Sequence, residues 1–104
     1  MDKLKELLTE EELDNFLTND KVVIEFFTTT CGKCKMVKVI LQDLQAEYPL
    51  VKFATINAQN LDFVLERFEI FGFPTIIMFK NGDEVKRTSS DDETVLKECL
   101  KSLK

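Results

Sequence analysis

The chemistry-bearing residues of this chain are two thiols at i and i+3, Cys31-Gly32-Lys33-Cys34. They come just after the apolar run Val22-Val23-Ile24-Glu25-Phe26-Phe27 and just before a helical pattern that starts at Lys35. Where a strand hands over to a helix, the first thiol meets unpaired backbone N–H groups and the positive end of the helix dipole. Both favour an anion. Its thiolate, the nucleophilic form, should therefore appear at lower pH than that of an ordinary Cys. The second thiol lies one turn further in, close enough to close a disulfide and less open to solvent. A C-x-x-C pair by itself also reads as half a zinc site. The strand before it and the helix after it favour redox chemistry.

The elements that must position this pair alternate along the chain. Residues 3–8 are ambiguous between a helix and an edge strand. Thr9-Glu10-Glu11-Glu12 is a capping-box pattern that opens a short helix through Leu13, Phe16 and Leu17. Residues 21–27 read as a strand buried on both faces, because the apolar residues are continuous rather than alternating. A helix is expected from about Cys34 to Glu47, with Cys34, Val37, Leu41, Leu44 and Tyr48 on its apolar stripe and Pro49 as its stop. Residues 50–57 read as a second strand, and a short helix spans Leu61 to Phe68.

A third strand follows over residues 75–80, then the Asn81-Gly82-Asp83 turn signal and a hairpin partner over 84–88. Ser90-Asp91-Asp92-Glu93 opens a last helix with Val95, Leu96, Cys99, Leu100 and Leu103 on its apolar side. Strands alternating with helices and then an antiparallel hairpin predict an α/β fold, a mixed sheet covered by helices on both faces.

Composition narrows the function classes. At 104 residues and 44% hydrophobic content the chain can bury one core, so residues 1–104 are expected to form a single domain. A formal net charge of −5 without a Lys/Arg cluster makes nucleic acid and anionic membrane poor partners. The charged start, Met1-Asp2-Lys3-Leu4-Lys5-Glu6, does not resemble a signal peptide, and no run is long enough to span a bilayer. A cytoplasmic location is expected, where a Cys pair is more often catalytic or metal-binding than structural.

Thr30-Cys31-Gly32-Lys33-Cys34-Lys35-Met36 after an apolar strand, Gly72-Phe73-Pro74-Thr75 before another, and Phe79-Lys80-Asn81-Gly82 in the hairpin together resemble the thioredoxin family. The resemblance implies a thioredoxin fold with a central mixed five-stranded sheet flanked by four helices. It implies a protein-disulfide reductase that needs no cofactor beyond a redox-active Cys31–Cys34 disulfide, acts on disulfide-containing proteins as a monomer, and is recharged by a thioredoxin reductase. Cys31 would be the attacking thiolate and Cys34 the resolving thiol, with a cis peptide before Pro74. Thr30, Gly32, Lys33, Phe73 and Pro74 would form the substrate surface. Glu25 is the candidate base for Cys34: it is the only charged residue inside its apolar run, and the family commonly has a buried acid there. Burial without a partner would raise its pKa toward neutrality. An ordinary surface role at a strand end is disfavoured, because strands of such a sheet are covered on both faces.

Departures from the family pattern surround the pair. Thr30 stands where the family usually has Trp, Lys33 where it has Pro, Thr55 where it often has Lys, and Val39 where it has a helix-kinking Pro. Thr88-Ser89-Ser90 replaces a loop that usually contains Gly. The competing functions are glutaredoxin-like, oxidase or isomerase activity on the same fold, and a non-enzymatic metal or partner module. The absence of His and of a second C-x-x-C leaves few zinc ligands. Cys99, on the last apolar stripe, reads as a buried core thiol.

Overall fold

The computed structural model describes residues 3–104. Its strands are β1 (Lys5–Glu6), β2 (Lys21–Phe27), β3 (Lys52–Asn57), β4 (Thr75–Lys80) and β5 (Asp83–Thr88). Its helices are α1 (Glu10–Phe16), α2 (Gly32–Glu47), α3 (Phe63–Arg67) and α4 (Glu93–Leu100), the last running into a short 3-10 turn over Lys101–Leu103. The strands form one five-stranded sheet in the order β1-β3-β2-β4-β5. β1, β3 and β2 run parallel, while β4 and β5 are antiparallel to their neighbours. This is the thioredoxin fold, an α/β arrangement with helices on both faces.

The run that reads as doubly buried is the centre of the sheet. Val22 to Phe27 are all buried, and alternate residues feed two apolar layers. Val23 joins Val37, Leu41, Leu44, Leu96 and Leu100 beneath α2 and α4. Val22, Ile24 and Phe26 join Leu13 and Val64 beneath α1 and α3. Each fully covered aliphatic or aromatic side chain contributes roughly 1.5–3 kcal/mol relative to exposure, so this strand carries a large share of the stability.

Local chemistry explains the boundaries. Thr9 caps α1 by accepting the Glu12 N–H at 3.1 Å, and the Glu12 carboxylate reaches back to the Leu8 N–H at 3.3 Å. The ambiguous residues 3–8 hold an edge strand of only two residues, with Leu4 in one layer and Leu7 in the other. Asn81 (φ 53°) and Gly82 (φ 86°) take the left-handed backbone that a two-residue hairpin turn requires.

Several boundaries differ from the sequence reading, among them the short helix, which spans only Phe63–Arg67, and β5, which begins at Asp83; three others have a visible local cause. α2 begins at Gly32 with Cys31 as its N-cap, rather than near Cys34. β3 begins at Lys52 because Pro49 and an exposed Leu50 form a turn that the Val51 N–H closes onto the Tyr48 carbonyl. α4 is capped by Asp92, whose carboxylate accepts the Thr94 and Val95 N–H groups, while Ser90 instead accepts the Asp92 N–H. A carboxylate inside the stretch outcompetes the Ser hydroxyl for the orphan amides and favours the dipole's positive end.

Candidate active site

Cys31 and Cys34 are joined as a disulfide, with their Cα atoms 5.3 Å apart. As the N-cap of α2, Cys31 has extended backbone geometry, and its Sγ accepts the Cys34 N–H at 3.1 Å. The sulfur thus occupies the place where a Ser or Asp cap would put its oxygen. An anion formed there gains a charge-assisted hydrogen bond and the field of a 16-residue helix. Exposure separates the two sulfurs: Cys31 is partly open, whereas Cys34 is 2% exposed and packed beneath the helix. The arrangement gives one accessible sulfur with a stabilised leaving and attacking form, and a second sulfur reachable from within the protein.

The approach to Cys31 is a short polar loop. The Thr29 N–H and hydroxyl both donate to the Gln59 side-chain carbonyl, at 3.0 and 2.8 Å, and the Cys31 N–H donates to the Thr28 carbonyl at 3.3 Å. Thr30, Gly32 and Lys33 are exposed around the pair. Gly32 leaves open space where a side chain would stand. Lys33 sits in the first turn of α2, which contains no acidic residue. A cation there opposes the helix dipole, so its presence is not explained by helix stability.

Gly72-Phe73-Pro74 leads into β4, and the Phe73–Pro74 peptide is cis. Pro74 is buried, Phe73 half-buried against the α1/α3 layer, and Phe71 almost fully exposed. The Thr75 hydroxyl donates to the Gly72 carbonyl at 2.7 Å. Arg87 on β5 holds the start of this segment. Its guanidinium donates to the Phe68 and Glu69 carbonyls at 2.7 and 3.1 Å, and Glu84 accepts from it on the other side. Glu69 there has a left-handed backbone (φ 52°).

Glu25 is fully buried, and neither carboxylate oxygen has a hydrogen-bond partner in the protein. It does not reach solvent at a strand end. Thr55 on β3 and Ile76 on β4 are its register neighbours, so the sheet offers it no charge. Burial pushes its carboxyl up to about 8, and the Lys38 ammonium pulls the other way. Lys38 lies on α2 with Nζ 3.9 Å from the Phe27 ring centroid. Cys99 is buried on α4, and its thiol is held above the ordinary range by burial.

Gln59, Lys38 and Arg87 carry no motif. For Lys38 the available signal is its place four residues after Cys34, on the same side of a helix. Gln59 and Arg87 act through contacts about thirty and nineteen residues away in sequence, which spacing cannot reveal. Among the described residues no group of three or more His, Cys, Asp or Glu side chains gathers as a metal site. No helix among them is long and apolar enough to cross a membrane.

Residues 5–102 match the family model described as Thioredoxin. Among curated proteins, the chain is 37% identical over 81 residues to a thioredoxin of Chlamydia pneumoniae, covering 78% of this chain and 79% of that one. It is 31% identical to thioredoxin-1 of Saccharomyces cerevisiae, over 88% of this chain and 90% of that one. The oxidised mitochondrial thioredoxin 3 of Saccharomyces cerevisiae superposes with a TM-score of 0.87 at 29% identity, over 94% of this chain and 93% of that one. The chain therefore belongs to the thioredoxin family and is a protein thiol–disulfide oxidoreductase whose redox group is its own Cys31–Cys34 pair.

Proposed function

We propose that this protein is a reductase of protein disulfides in which Cys31 attacks and Cys34 resolves. The Cys31 thiolate attacks one sulfur of a substrate disulfide, forming the mixed disulfide and expelling the other sulfur as a thiolate that takes up a proton. Cys34 then gives its proton to Glu25, attacks the Cys31 sulfur and closes the Cys31–Cys34 bond. The second substrate sulfur leaves with the electron pair and is protonated from solvent. Two electrons pass from the dithiol to the substrate, and Glu25 returns its proton to solvent. The observation that carries this reading is Cys31 as N-cap of α2, its sulfur accepting the Cys34 N–H while Cys34 is buried.

Around that couple, Thr30, Gly32, Lys33, Phe73 and cis-Pro74 form the surface that receives the substrate chain. With no Trp, the surface is smaller and more polar than the family pattern, and it suits a narrower set of partners. A thioredoxin reductase recharges the disulfide. Residues 1–104 act as one domain and as a monomer, in keeping with exposed apolar side chains that are scattered over different elements. A reducing compartment such as the cytoplasm suits a third, unpaired thiol.

The test is insulin reduction with NADPH and a thioredoxin reductase. The native protein is expected to turn over, and Cys31→Ser and Cys34→Ser to lose turnover. Undiminished turnover in Cys31→Ser would overturn the assignment. Turnover with dithiothreitol but not with the reductase would remove only the recharging partner.

A further inference from the structure

β2 and β4 are antiparallel with Phe26 opposite Thr75, so the chain leaves β2 toward Cys31 at the end of the sheet where it enters β4. Cys31 lies four residues after the end of β2, and Phe71 four residues before the start of β4. The first of these loops is polar, with Thr29, Thr30 and Lys33 exposed. The second is not. Phe71 is 95% exposed, more than any other large apolar side chain among the described residues, while Ile70 before it is buried and Phe73 after it half-buried. A single exposed apolar side chain is ordinary; what sets Phe71 apart is how firmly its backbone is held. The Ile70 N–H donates to the Leu65 carbonyl at 2.9 Å, and the Thr75 hydroxyl to the Gly72 carbonyl at 2.7 Å. Arg87 on β5 clamps the segment: Nη2 and Nη1 donate to the Phe68 and Glu69 carbonyls, and Nε and Nη2 to the Glu84 carboxylate. Glu69 keeps a left-handed backbone, φ 52°, which a residue other than glycine holds only where its surroundings fix it. Capping the end of α3 accounts for the two carbonyls. It does not account for an aromatic ring held in solvent two residues later.

We propose that Phe71, fixed by the Arg87 clamp, is a specificity-determining contact at the Cys31 end of the sheet, selecting protein disulfides flanked by an aromatic or large aliphatic side chain. The inference rests on the reductase reading above and adds the substrate class. The threonines before Cys31 offer hydrogen bonds but little apolar area, so apolar contact at this end comes from Phe71 and the open part of Phe73. A ring that already stands in solvent gives up no packing of its own on binding, and its fixed backbone has little freedom left to lose. Covering it with an apolar side chain releases water and adds the contact of one ring with another. Beside it, Gly72 has nothing within 4 Å of where a Cβ would stand, which leaves room for a substrate chain. A second copy of this protein is a poorer occupant, because a stable interface needs a broad apolar area and the other exposed apolar side chains are scattered. Arg87 acts through the backbone of residues 68–69 and is a positioning residue.

The experiment mixes reduced protein with two synthetic peptides, each closed by a disulfide, that carry Phe or Ser beside one Cys. Hydroxyethyl disulfide serves as a substrate too small to reach Phe71. Reduction is quenched with acid and followed by chromatography at increasing substrate concentration. The native protein is expected to reduce the Phe peptide roughly fivefold faster than the Ser peptide at low concentration, through the half-saturating concentration rather than the limiting rate. Phe71→Ser should bring the two peptides level and leave hydroxyethyl disulfide unchanged, and Phe71→Tyr should keep the preference. Arg87→Met should lose most of the preference at an unchanged limiting rate, and adding it to Phe71→Ser should cost nothing further. A native protein that reduces none of the three would overturn the reductase reading and this proposal with it. Reduction of all three without a preference, or a preference that survives Phe71→Ser, would overturn this proposal alone. So would equal slowing of all three substrates in Phe71→Ser, or a dimer seen in sedimentation that Phe71→Ser abolishes. A full preference in Arg87→Met would overturn the clamp.

Discussion

Replacing Glu25 with Gln should change how stability depends on pH. In the folded protein burial lifts the carboxyl from 4.5 to about 8, while in the unfolded chain it titrates near its ordinary value. Below about pH 4 both states hold the proton and the residue has no pH-linked effect. Between roughly pH 5 and 8 the unfolded chain has released the proton and the folded protein keeps it. Folding then takes up a proton, and stability falls by about 1.4 kcal/mol for each pH unit. Above the raised value both states are ionised and the loss levels off. The displacement from 4.5 to about 8 sets that plateau at roughly 5 kcal/mol, comparable to the whole stability of a marginal domain, about 5–15 kcal/mol.

The amide introduced by Glu25→Gln has nothing to ionise, so the variant lacks this dependence. The pH-independent effect of a buried amide displaces its curve without tilting it. Urea melts of the two oxidised proteins, followed by far-UV circular dichroism from pH 4 to 9, give the difference directly because every other titrating group cancels. The stability of Glu25→Gln relative to the native protein should rise across the middle of that range and flatten above it. Parallel curves would show a carboxylate that is hydrated or paired in solution, and the argument from burial would be refuted.

Two further outcomes follow from the helix ends. A cation at Lys33, in the first turn beside Cys31, stabilises a thiolate that exists only in the reduced form and so makes the couple more oxidising. Lys33→Met should lower the potential, measured by equilibration with glutathione, and Lys33→Pro should lower it further, by some tens of millivolts, about 30 mV being roughly 1.4 kcal/mol for two electrons. An unchanged potential in Lys33→Met would mean that the ammonium does not act on Cys31. Asp92→Ala should cost about 1 kcal/mol in a urea melt by removing the cap on two amides, whereas Ser90→Ala should cost clearly less. Equal losses would restore Ser90 as the cap.

Much of this fold is legible because its central signals are local. The stretch from Val22 to Phe27, apolar but for Glu25, has no amphipathic reading, and Asn81-Gly82 accepts the left-handed backbone of a two-residue turn. The thiol pair is visible for the same reason, since a strand, two Cys residues and a helix lie in one short segment. What is not legible depends on competition or on distance. Ser90 and Asp92 both suit an N-cap, and only the seating of Leu96 and Leu100 in the core fixes which amides need a partner. Residues 3–8 acquire a strand only because Thr55, nearly fifty residues away, accepts the Leu7 N–H. Glu25 stands out by its charge, but that neither of its oxygens finds a hydrogen-bond partner shows only once the sheet is assembled.

The proposed role of Cys31 as the attacking sulfur is tested most directly by trapping. Reduced Cys34→Ser protein is mixed with oxidised insulin, quenched with acid and mapped by mass spectrometry. The prediction is a mixed disulfide that accumulates on Cys31, with no comparable adduct on Cys34 in Cys31→Ser protein treated the same way. A Cys34 adduct forming as fast in Cys31→Ser as the Cys31 adduct forms in Cys34→Ser would contradict the assignment of the two sulfurs.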